Sequence, residues 1–101
     1  MKLLLITAVK EFENEIKQLL KKAGVPSFSY QNAKGFKNSS NEAVESNWFG
    51  SEMNETDSLL FYAFTAKDKV DTLFELVAAF NQEQESLSHI HIAVLNIEKS
   101  N

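Results

Sequence analysis

Two histidines stand two residues apart in the segment HIHIAVLNI. On an extended chain His89 and His91 share one face, and neutral imidazoles at that spacing can converge on one divalent metal ion. A second stretch begins at Lys34, Gly35, Phe36 and Lys37. They open a polar run, AKGFKNSSNEAVESNWFGSE, whose middle carries Trp48 and Phe49. Large aromatics set among acids are typical interface anchors, which makes this pair the candidate contact for a protein partner. Glu42, Glu45, Glu52 and Glu55 supply carboxylate oxygens without the tight spacing or turn glycine of a calcium loop, and read as a solvated run. No motif places a nucleophile beside a base and no carboxylate pair is marked for proton transfer, so a non-enzymatic role is expected.

Composition narrows the setting. At 101 residues the chain is large enough for one hydrophobic core and too small for two, so a single domain over 1–101 is expected. The net charge of -4 has a local origin: between Gly35 and Ser58, Glu42, Glu45, Glu52, Glu55 and Asp57 face only Lys37, and the rest of the chain is balanced. Without arginine the bidentate donors of base and phosphate recognition are missing, and no nucleic-acid partner is expected. Without cysteine there is neither a disulfide framework nor a thiolate metal site, which fits a reduced, cytoplasmic home. The opening MKLLLITAV reads as a first strand rather than a signal segment, because no small-residue cleavage site follows it and KEFENEIKQLL continues as an amphipathic helix.

The elements that must position these residues follow from periodicity. KLLLITA is apolar on both faces and reads as a buried strand. From Glu11 to Ala23 the residues Phe12, Ile16, Leu19, Leu20 and Ala23 recur at helical spacing, with Gly24 and Pro26 as the stop. SFSYQN alternates as a half-exposed strand at a sheet edge, and SLLFYAFTA is a second strand apolar on both faces. Thr65 and Asp68 resemble a capping box ahead of a helix with Val70, Leu73, Phe74, Val77 and Phe80 on its apolar stripe. HIHIAVLNI closes the series as a strand. The order β-α-β-loop-β-α-β predicts an α+β, ferredoxin-like βαββαβ sandwich: a four-stranded antiparallel sheet with the first and third strands central and both helices on one face. The connection over 34–57 exceeds the roughly 12 to 15 residues above which structureless loops are functional or disordered, and is expected to be long and flexible. Two helices leave one face of the sheet bare although both central strands are apolar there, so self-association through that face is expected.

The segment AGVPSFSYQNAKGFKN, with Gly24, Val25, Lys34, Gly35 and Phe36, resembles the Gly-Val, second strand and Lys-Gly-Phe-Gly sequence that leads into the long T-loop of PII signalling proteins. The likeness extends to element order and lengths over nearly the whole chain. It departs from the family where FNQEQESLSH, with Glu83 and Glu85, replaces a glycine-rich phosphate loop, and where Lys37 replaces the last glycine of the motif. Small PII-like proteins with altered nucleotide sites, some encoded beside transporters, are the nearest group, and CutA-like trimers share the core topology. The resemblance implies a homotrimeric regulator that binds a small effector in the cleft between subunits, with Lys34, Gly35, Phe36 and Lys37 at the loop base. It implies a partner such as a membrane transporter docking on the loop through Trp48 and Phe49. An adenine nucleotide and a divalent metal are the effectors to be weighed. The alternatives are a CutA-like or efflux-linked trimer binding a divalent metal through His89, His91 and loop carboxylates, and a small ferredoxin-like enzyme.

Overall fold

The computed structural model describes residues 1–36, 55–85 and 87–101. They form an α+β arrangement of a four-stranded antiparallel sheet and two helices, compatible with a ferredoxin-like sandwich. The strands are β1 (Lys2–Val9), β2 (Ser29–Phe36), β3 (Glu55–Thr65) and β4 (His91–Asn96), and the helices are α1 (Glu13–Lys22) and α2 (Lys67–Glu83). The sheet order is β2-β3-β1-β4, so the two strands that are apolar on both faces are the central ones.

Register sets which side chains meet the helices. Leu4 pairs with Ala63, Ile6 with Phe61 and Ala8 with Leu59, and all six are buried. Ile16 and Leu20 of α1 and Val70, Leu73 and Val77 of α2 close over this face in the same core cluster. Full burial of a Leu, Ile or Phe side chain is worth about 1.5 to 3 kcal/mol each, so this face dominates the stability of the domain. Phe61 is its centre: Tyr30 stacks on it at 4.9 Å between ring centroids and Phe28 leans in at 5.7 Å.

Helix ends follow local chemistry. A short 3-10 turn over Lys10–Phe12 leads into α1, so the regular helix begins two residues later than periodicity predicts. At the other end the Val25 amide donates to the Leu20 carbonyl at 2.9 Å and the Gly24 amide to that of Lys21 at 3.1 Å. This paired closure needs a left-handed residue, and Gly24 supplies it at φ 80°. Glu13 and Glu15 lie in the first turn and Lys21 and Lys22 in the last, each on the side the helix dipole favours. The expected Thr65–Asp68 capping box does not form. Ala66 stands at the N-cap without a side-chain bond, and Thr65, the last residue of β3, is buried on the helix-covered face.

The strands reach further than alternation of apolar residues predicts. β2 runs through Lys34, Gly35 and Phe36, paired with Asp57, Thr56 and Glu55 of β3, so the ends of the expected 34–57 loop belong to the ladder. The ladder persists because backbone pairing does not need apolar side chains, and Lys34 and Asp57 meet across it. Conversely β4 begins at His91, leaving His89 just ahead of the strand.

Candidate functional site

The face of the sheet away from the helices carries Leu3, Leu5, Thr7 and Val9 of β1 and Ser58, Leu60, Tyr62 and Phe64 of β3, with Ala93 and Leu95 of β4 beside them. Its side chains change character along the strands. At the start of β1, Leu3 lies between Phe64 and Leu95, both exposed. One step on, Leu5 lies between Tyr62 and Ala93; beyond that Thr7 lies between Leu60 and His91, and Val9 beside Ser58. One end of the bare face is therefore apolar and the other rich in hydroxyls and imidazole.

At the polar end lies a cleft of about 520 Å³. Thr7, Val9, Ser58 and Leu60 floor it; Lys34, Gly35 and Phe36 form its wall on β2, and His89 and His91 its wall on β4. Two groups of residues singled out separately in the sequence thus border a single concavity. Since β2 and β4 are the two edge strands, three interstrand spacings separate the walls, roughly 14 Å. Lys37, Trp48 and Phe49 lie outside the described residues.

Each wall is positioned differently. On β2, a Cβ added to Gly35 would come within 3.0 Å of Ser58 Oγ, so glycine keeps that part of the cleft open. Phe36, 67% exposed, and Lys34 alternate with Gly35 and so leave β2 on the side that carries Tyr30, away from the bare face. Lys34 Nζ donates to Asp57 Oδ1 at 2.7 Å. That hydrogen bond raises the Lys34 amine above its ordinary value and holds the Asp57 carboxyl below the usual carboxylate range. The ammonium is therefore neutralised by its neighbour, on the side of the ladder away from the bare face.

On the opposite wall the key residue is one that sequence reasoning missed. Asn81, in the last turns of α2, donates from Nδ2 to the Ile90 carbonyl and accepts at Oδ1 from the Ile90 amide, both at 2.8 Å. This two-way bond satisfies both backbone groups of Ile90, whose own side chain is buried in the core. The residue between His89 and His91 is thereby fixed, and both exposed imidazoles are held on the cleft side. In the sequence Asn81 is only a polar residue in a fading helix, and nothing in its local pattern marks a clamp.

Among the described residues the cleft lining holds no carboxylate side chain, and no group of three or more His, Cys, Asp or Glu could hold a metal. Its chemistry is that of two imidazoles on the β4 side, with neutral hydroxyls and the open backbone of Gly35 on the β2 side. No helix of the described residues is long and apolar enough to cross a membrane. The residues define a small α+β protein with a ligand-sized cleft on an uncovered sheet face. No protein-family model matches the sequence, and no curated protein matches it.

Proposed function

We propose that the chain is a non-enzymatic, PII-like regulator: a ferredoxin-like βαββαβ domain with a T-loop-like insertion between β2 and β3. It binds a small effector in the cleft walled by Lys34, Gly35, Phe36, His89 and His91. The single observation that carries this reading is the place of that cleft. It lies on the uncovered apolar face and at the base of the two strands that bracket residues 37–54, so one ligand could influence both self-association and that segment. Association through the apolar end of the face, as a homotrimer, would remove Leu3, Leu5, Tyr62, Phe64 and Leu95 from water. Lys37 extends the loop base, and Trp48 and Phe49 are the contacts for a protein partner, a membrane transporter among them, in a cytoplasmic setting.

Native mass measurement combined with thermal unfolding tests the reading. A trimer whose melting rises by several degrees with an adenine nucleotide or a divalent metal supports it, since a ligand at 100 times its dissociation constant adds about 2.7 kcal/mol. A monomer that no ligand stabilises would sink it.

A further inference from the structure

We infer that His89 and His91 form a chelating site for one divalent transition-metal ion, with Asn81 as the residue that positions them. The inference rests on reading the cleft as the ligand site and names the class of ligand.

The two imidazoles flank a residue whose backbone amide and carbonyl are both bonded to Asn81 at 2.8 Å and whose side chain is buried. Little chain entropy remains to be lost when the rings close on an ion, which is how preorganisation raises affinity. Both rings are exposed on the cleft side and accessible to an ion from solvent. The donor set selects the metal. Among the described residues the lining offers imidazole nitrogen and no carboxylate, a donor set that suits zinc, copper and nickel better than calcium or magnesium. Lys34, the other described lining residue with a side-chain nitrogen, is an ammonium with no lone pair, and it is paired with Asp57 on the side of β2 away from the bare face. That pairing also weakens the case for a phosphate or carboxylate as the primary ligand, because the described lining residues offer it no uncompensated lysine. Water completes the coordination, which leaves the ion open to a further donor from the ligand or from another copy of the chain.

Calorimetry on the tag-free full chain, with zinc, copper and nickel salts against calcium and magnesium, tests the proposal. The expected result is one transition-metal ion per chain and no heat from the hard cations. His89→Ala and His91→Ala should each weaken binding by at least the 10- to 100-fold that even an outer-sphere partner of a metal ligand is worth. Copper should broaden the ring resonances of both histidines. Asn81→Asp retains an acceptor for the Ile90 amide and loses the donor to its carbonyl. At a temperature where this variant is fully folded, its metal affinity should still fall. Unchanged affinity in the Asn81→Asp protein would remove its positioning role, and unchanged affinity in the double His→Ala protein would overturn the site. Silence toward all three metals would also overturn it. If a nucleotide then raised the melting temperature and Phe36→Ala abolished that rise, the metal assignment would fail while the cleft remained the ligand site.

Discussion

Phe64→Glu separates the stability of the chain from its association. Phe64 is 58% exposed on the bare face, opposite Leu3 of the neighbouring strand. With about 200 Å² for a whole Phe side chain, its exposed part amounts to roughly 120 Å². Covering that area in an interface would contribute about 3 kcal/mol per copy at ~25 cal/mol per Å². Loss of that contribution weakens each contact by about 100-fold, and the cost of burying an unpaired carboxylate adds to it. Within one chain the change is mild, because the side chain does not touch the helix-covered core and strand preferences span only ~1 kcal/mol. Sedimentation across a dilution series should show wild-type oligomer where Phe64→Glu is monomer, with the circular dichroism of the two proteins superimposable. Leu87→Glu, at a position 96% exposed and away from the sheet, should behave as wild type. A wild-type chain that sediments as a monomer at every concentration, or a Phe64→Glu chain that associates as tightly as wild type, refutes the covered-face reasoning.

Three further outcomes follow from the core, the helix terminus and the cleft wall. Phe61→Ala empties the centre of the Phe28–Tyr30–Phe61 cluster and should cost about 3 to 5 kcal/mol in denaturant unfolding, a large part of what a domain of this size possesses. Gly24→Ala forces a left-handed conformation on an L residue, while Lys69 Nζ, 3.0 Å from the new Cβ, is a flexible end that can move aside. The cost should be the backbone's ~1 to 2 kcal/mol, read as a melting temperature lowered by several degrees. Asp57 has a folded pKa depressed by Lys34, so its contribution to stability is present above the unfolded carboxylate value and is lost as pH falls through the folded one. Carboxyl chemical shifts should therefore titrate below the ordinary range in wild type and return to it in Lys34→Met, and Asp57→Asn should flatten the acid limb of the stability profile.

The central strands were legible in the sequence because Leu, Ile and Phe alternate to both faces, a pattern few other structures produce. Both helices were legible from their apolar stripes, and the end of α1 from Gly24. The ends of β2 and β3 were not. Lys34–Phe36 and Glu55–Asp57 carry mostly polar side chains, and what joins them is backbone pairing and an ion pair across the ladder, neither of which leaves a hydrophobic period. The cleft was legible only in fragments. His89 and His91 stand far along the chain from Lys34, Gly35 and Phe36, and they border one concavity only because the order β2-β3-β1-β4 puts the polar ends of all four strands on the same side. Asn81 was illegible for a related reason: its partners are the backbone groups of a residue nine positions on, and backbone groups have no signature in sequence.

The gradient along the bare face bears on how binding and association could be coupled. Leu3, Phe64 and Leu95 at one end and Thr7, Ser58 and His91 at the other are separated by only a few residues of the same strands. An interface centred on the apolar end would therefore leave the cleft at its margin, close enough for a bound ion to touch a neighbouring copy and far enough for the cleft to stay wet. A ligand that contacted both copies would bind the assembled state better than the single chain, and only such a difference in affinity can shift the equilibrium between them. Association measured with and without zinc in the same dilution series would resolve this. Tighter assembly in wild type with zinc, lost in His91→Ala, would mean that the ion is shared between copies, whereas equal shifts in both proteins would place the ion's effect away from the cleft.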